Sequence, residues 1–161
     1  MKILQVTNRF YPSLGGVETH VLEISKRLVV AGHRVTVLSS NFKDLKSSSK
    51  YTGLDKTGEV FGVKFIRFSS IRIFKIDAST IPVLLPFWLM INIRKFDVVH
   101  CHTYGYVVGW LPILIGKIFC VKVVFTPHLS NHSSLPKILQ RLYDILIAGW
   151  QFNFADKIIA L

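Results

Sequence analysis

Residues 2–39 read as strand, helix, strand, and that order leaves few folds open. Lys2–Thr7 (KILQVT) is a short apolar run of the kind found in buried strands, and Arg34–Ser39 (RVTVLS) is a second. Between them Val17, Val21, Leu22, Ile24, Leu28 and Val29 recur at helical spacing. Gly32 ends this helix, as a C-terminal glycine does. A strand, a crossover helix and a parallel strand in roughly forty residues make a βαβ unit.

The pattern continues. Residues 41–58 are polar, with a serine run and two glycines, and read as a mobile surface loop. Glu59–Ser69 reads as a third strand bent at Gly62. Ile81–Arg94 reads as helical from Val83, Asp97–His102 as a fourth strand, Tyr106–Ile118 as a short helix and Val121–Thr126 as a fifth strand. Pro136 suits the first turn of a long helix over Leu135–Phe154, and Lys157–Leu161 reads as a last strand. The alternation predicts an α/β fold: a Rossmann-like, doubly wound parallel sheet of six to seven strands with helices on both faces. Residues 1–161 form one domain in this reading. A strand as the last element leaves no closing helix, which fits an excised domain.

Half the residues are apolar and the mean hydropathy is +0.42, more than a free-standing domain needs. Part of the surface is therefore expected to be covered by another domain, a partner or a membrane. The net charge of +11 attracts anions without choosing among nucleic acid, anionic lipid and phosphorylated substrates. Nucleic acid is not expected, because no helix carries a basic stripe interleaved with aromatics. Cys101 and Cys120 lack CxxC spacing and sit in apolar surroundings, so they read as reduced, buried thiols of a cytosolic protein. The N-terminal apolar run is too short for a signal peptide. Ile81–Ile93 is too short for the roughly 20 residues a membrane span requires. Gly105–Phe125 is interrupted by Pro112, Gly116, Lys117 and Lys122. The apolar helix at 81–93 either packs on the sheet or lies at a membrane interface, and its outer side decides.

Ligands of such sheets bind outside the carboxyl ends of the strands, beside strand one. The turn YPSLGGVETH at 11–20 lies there. Gly15 and Gly16 let a ligand approach the backbone, and the first amides of the helix favour negative charge. A phosphate fits this turn, although the glycines also suit a tight loop. The chain has neither GxGxxG nor GK[ST], so it is neither the usual dinucleotide fingerprint nor a P-loop.

Four motifs in register resemble the opening half of the retaining glycosyltransferases of family GT4, which have the GT-B fold. Pro12, Gly15, Gly16, Val17 and Glu18, followed by Gly32, His33, Val35 and Val37, match its P-x-x-G-G-V/A-E and G-H-x-V-x-V pattern. FDVVHCH (96–102), VVFTPH (123–128) and ADKIIAL (155–161) resemble three later strands. The resemblance implies the N-terminal, acceptor-side half of an enzyme moving a sugar from a nucleotide-sugar to a saccharide or lipid-linked acceptor. The donor-binding C-terminal domain, with its E-x7-E acids, is not in the chain, so the chain alone is expected to be inactive. A non-enzymatic phospholigand-binding module or partner subunit of the same fold is the alternative.

By the same resemblance Gly15 and Gly16 face the donor diphosphate and His128 meets the donor sugar or the acceptor region, which makes it the candidate catalytic residue. Glu18, His102, Thr103 and Tyr104 are acceptor-side candidates; Glu18 would also complement the helix dipole without any site. Strand alternation puts His100 and His102 on one face and Cys101 on the other, with His100 the structural member. His33, at the amino end of strand two, reads as structural, and His20 and His132 belong to no constellation. No metal or other cofactor is expected. The departing phosphate takes the acceptor proton in such a mechanism, and the protein positions and stabilises. Expected partners are the nucleotide-sugar, the acceptor, the chain's own C-terminal domain and an anionic membrane surface. The expected location is the cytoplasm, peripheral to the inner membrane face.

Overall fold

A computed structural model describes residues 1–42, 55–72, 80–104, 106–128 and 149–160, with Ile138, Arg141, Leu142, Ile145 and Leu146. The βαβ unit forms as its pattern requires. Strands β1 (Lys2–Val6) and β2 (Arg34–Ser40) run parallel, in register from Lys2 with Arg34 to Val6 with Leu38. Helix α1 (Gly16–Val30) buries Val21 against Phe10, Val35, Val37 and Val63. Gly32, at φ 83°, closes α1 with a Schellman pair: its N–H donates to the Val29 carbonyl, and that of His33 to the Leu28 carbonyl.

The expected bent third strand is instead a hairpin. β3 (Thr57–Val60) and β4 (Val63–Phe68) pair antiparallel around Phe61 and Gly62, both at positive φ. A small second hairpin, β5 (Ser70–Arg72) with β6 (Thr80–Pro82), precedes α2 (Leu85–Asn92) and the 3₁₀ turn Ile93–Lys95. Then come β7 (Val98–Cys101), α3 (Val107–Ile118), β8 (Lys122–Phe125), α4 (Trp150–Phe154) and β9 (Lys157–Ile158). Of the loop expected over 41–58, residues 43–54 lie outside the described residues and Thr57 and Gly58 belong to β3; most of the helix expected over 135–154 also lies outside them, α4 being its last turn, as does the loop with His132.

The main sheet has the order β3-β4-β2-β1-β7-β8-β9, parallel throughout except for β3. The six parallel strands follow the Rossmann order, and the direction of winding reverses between β1 and β7. Helix α1 covers one face. On the other face Leu4, Val6, Val99, Cys101, Val123 and Phe125 form the core with side chains of α2 and α3. Helices therefore lie on both faces, as expected.

Cys101 is buried, but Cys120 is exposed. The expectation of two buried thiols fails at Cys120 for a backbone reason. Cys120 closes α3 at φ 56°, in the left-handed position that Gly32 fills after α1. Its N–H donates to the Lys117 carbonyl and that of Val121 to the Gly116 carbonyl. Among the described residues no helix is long and apolar enough to cross a membrane.

Candidate active site

The carboxyl ends of β1, β7 and β8 converge on the amino end of α1. Beyond β1 the chain runs through Thr7, Asn8 and Arg9 to Phe10, whose buried ring anchors the loop. Arg67 on β4 reaches this loop from below: its Nη2 donates to the Tyr11 carbonyl at 2.5 Å and its Nη1 to the Asp55 carbonyl at 2.9 Å. The loop then delivers Gly15 and Gly16 to the start of α1, where no side chain caps the helix.

The two glycines are glycine for different reasons. A Cβ on Gly15 would run into the Glu18 carboxylate, so the protein itself excludes a side chain there. A Cβ on Gly16 would meet nothing within 4 Å. Gly16 instead faces a groove of about 490 Å³ that Arg9, Glu18, Pro127 and His128 also line. Glu18 is buried and paired, its Oε1 2.6 Å from Arg9 Nη2.

Below the groove the sheet is polar where a Rossmann core is normally apolar. Gln5 and His100 are direct neighbours across β1 and β7, and His102 follows on the same face. His100 and His102 have ring centroids 3.9 Å apart, as alternation requires. His100 Nε2 lies 2.8 Å from Thr126 Oγ1. His102 Nε2 is hydrogen-bonded to Gln5 Oε1, which leaves Nδ1 as the acceptor nitrogen. That Nδ1, His20 Nε2 and His128 Nε2 are all buried without a hydrogen-bond partner.

The three rings belong to one cluster. His20, His102 and His128 each offer a ring nitrogen within 4.8 Å of the others. Ring centroids are 5.1 Å apart for His20 and His128, 5.7 Å for His20 and His102, and 5.9 Å for His102 and His128. Burial disfavours the charged form of His100, His102 and His128. It pushes the His100 imidazole down to about 4 and holds His102 well below the usual value, with the charge of neighbouring histidines acting in the same sense. His128 is lowered for the same reasons, burial first and then His20. Neutral His102 can accept a hydrogen bond at Nδ1, and neutral His128 can accept or donate at Nε2, according to its tautomer. A tetrahedral zinc would draw such nitrogens to about 3.3 Å from one another.

The structure thus brings Gly15, Gly16, Glu18, Thr103 and His128 to one cleft, while His102 is fully buried beneath it with its ring near that of His128. Thr103 lines its deeper part beside Thr7, Asn8 and Tyr106. Tyr104 turns away, its ring 5.7 Å from that of Phe152 on α4. His20 does belong to a constellation, contrary to expectation. Its signal was its place one helical turn beyond Gly16, which puts both on the same side of α1. Arg9 was missed although it stands only three residues beyond β1.

A profile of the family described as Glycosyltransferase Family 4 matches residues 14–161. The chain belongs to glycosyltransferase family 4. The chain's relatives include the GPI3 subunit of phosphatidylinositol N-acetylglucosaminyltransferase from Saccharomyces cerevisiae, 30% identical over 127 residues, which cover 78% of this chain and 26% of that protein. Subunits of the same-named enzyme from two other organisms also match. The one from Arabidopsis thaliana is 27% identical over 128 residues, covering 80% of this chain and 27% of that protein. The one from Homo sapiens is 25% identical over 129 residues, covering 78% of this chain and 25% of that protein. The chain therefore spans about a quarter of the length of these relatives. MurG from Acinetobacter baumannii has the same fold, with a TM-score of 0.51 at 12% identity over 99% of this chain and 40% of that one.

Proposed function

We propose that this family 4 chain forms the acceptor-side wall of a cleft in which a hexosyl group passes from a nucleotide-sugar to a lipid-linked acceptor at the cytoplasmic membrane face. The observation that carries the reading is Gly16: a Cβ there would meet nothing within 4 Å among the described residues, yet the position opens onto the groove beside uncapped helix amides. A donor diphosphate supplies the missing reason, since helix amino termini favour phosphate.

In this mechanism the acceptor hydroxyl oxygen bonds to the sugar's anomeric carbon as the bond from that carbon to the phosphate oxygen breaks. The hydroxyl proton passes to the departing phosphate on the same face, so retention needs no protein nucleophile. Neutral His128 meets the sugar, while His102, Thr103 and Glu18 lie toward the acceptor. No metal takes part. The rest of the donor nucleotide is held by a second domain, so this chain alone does not turn over. The names of the relatives make N-acetylglucosamine and phosphatidylinositol the first sugar and acceptor to try.

The test incubates full-length protein with labelled nucleotide-sugars, N-acetylglucosamine donors first, and vesicles containing phosphatidylinositol. Label moving to the organic phase, with the anomeric configuration kept, is the expected result. Inverted product would refute the mechanism, and no transfer from any donor to any lipid would refute the function.

A further inference from the structure

Three histidines from three separate elements meet under the groove. His20 stands in the second turn of α1, His102 directly follows β7, and His128 lies three residues beyond β8. Each offers a ring nitrogen within 4.8 Å of the others. Among the described residues, His20 Nε2, His102 Nδ1 and His128 Nε2 are buried with no hydrogen-bond partner. Buried polar atoms are normally partnered, so unpartnered nitrogens on three neighbouring rings call for an occupant. His100 stays outside the set, because its Nε2 lies 2.8 Å from Thr126 Oγ1.

His102 is the fixed member. It is fully buried, and its Nε2 is hydrogen-bonded to Gln5 Oε1. An amide oxygen only accepts, so the ring proton sits on Nε2 and the lone pair on Nδ1. A metal-bound histidine is held in the same way, its second nitrogen donating to an outer acceptor. His20 and His128 are half-buried, and His128 lines the groove, which gives a small ion its way in. Tetrahedral coordination brings imidazole nitrogens to about 3.3 Å from one another, so the cluster needs at most about 1.5 Å of closure. The ligand set also selects the ion. Three imidazoles suit zinc and its late-transition neighbours, whereas magnesium and calcium take oxygen ligands. Arg9 lines the same groove, but its charge is offset by Glu18 at 2.6 Å and does not stand against a cation.

We propose that His20, His102 and His128 bind a divalent late-transition cation of the zinc class, and that the bound ion shuts the cleft. Three protein ligands leave a fourth coordination position for water or another ligand. Transfer itself uses no metal in the proposed function, so the ion acts as a stop. Bound at His128, it takes the lone pair and fixes the ring that meets the sugar. It also ties α1 to the ends of β7 and β8. The inference rests on the sugar-transfer reading only for this shut-off; the binding site stands apart from it.

The test is calorimetric titration of chelator-treated full-length protein with zinc chloride and, separately, with magnesium chloride. Saturable binding of zinc and none of magnesium by the cluster is expected. His20→Gln removes one ligand without touching a residue assigned to sugar transfer. It is expected to weaken zinc binding by more than the roughly tenfold that loss of an outer partner causes, with an unchanged metal-free melting temperature. His128→Gln, read by titration alone, is expected to weaken binding as much. His33→Gln, at the opposite end of the sheet, is expected to leave it unchanged. No zinc binding by the wild type, or equal binding by the folded His20→Gln and His128→Gln variants, would overturn the site. In the transfer assay zinc is expected to stop the wild type, reversibly on chelation. His20→Gln should transfer like the wild type without zinc and need more than about ten times as much zinc to stop. Undiminished transfer at saturating zinc would overturn the shut-off. Titration is read without turnover, so zinc binding that depends on His20, with no sugar transfer by any of the proteins, would sink the proposed function and leave this site standing.

Discussion

Arg9 Nη2 lies 2.6 Å from Glu18 Oε1, and the same carboxylate fills the space that a side chain on Gly15 would need. The pair ties the loop after β1 to the first turn of α1 and fixes the rim of the groove. Both side chains are largely buried, at 15% and 5% exposure, so losing one partner strands the other. Glu18→Ala is expected to cost about 3 kcal/mol of stability. Arg9→Ala/Glu18→Ala is expected to cost clearly less than the two single losses together. Urea denaturation of all four proteins checks this, and additive losses would show that the pair is not coupled.

The buried histidines make stability depend on pH. An unfolded imidazole takes its proton near 6.5, but folded His100 takes it only at about 4. Between those values the unfolded chain binds more protons, so stability is full above about pH 6.5 and falls as the pH drops toward 4. His100 alone accounts for a loss on the order of 3 kcal/mol across that window, and His102 and His128 shift in the same direction. Urea midpoints measured between about pH 7 and pH 5 are expected to fall, with a shallower slope for His100→Gln. A flat profile would mean that these rings are not buried neutral.

The fold was largely legible because period and punctuation agreed. β1, α1, Gly32 and β2 each follow a local rule, and the structure pairs them in the expected parallel register. The β3–β4 hairpin was not legible, because its turn places Phe61, an aromatic residue typical of strands, at φ 52°. Cys120 misled for the same kind of reason: a residue type usually buried occupies a helix-closing position usually given to glycine. The candidate site was legible where it lies on strand tips, as for His102 and His128. Alternation also paired His100 with His102. His20 and Arg9 were missed because the contacts that place them beside their partners form only when α1 folds back over the sheet.

His128 stands where function and structure can be separated. It is half-buried past the end of β8, and its Nε2 has no hydrogen-bond partner to lose. On the proposed function, His128→Ala in the full-length protein is expected to lower kcat about 100-fold, by analogy with the loss of one oxyanion donor. The melting temperature should hardly change. Kinetics and melting curves on the same preparation decide between roles, since parallel losses of activity and stability would make His128 structural.

Gly16 gives the most direct test of the account. A side chain there has open space, and Gly16 is not among the positive-φ residues, so Gly16→Val should fold with a normal melting temperature. Its branched side chain would project into the groove where the donor diphosphate is proposed to lie. The measurement is transfer from nucleotide-sugar by the full-length Gly16→Val enzyme, beside its melting curve. The account predicts an intact fold with transfer abolished; wild-type transfer by the folded variant would contradict it.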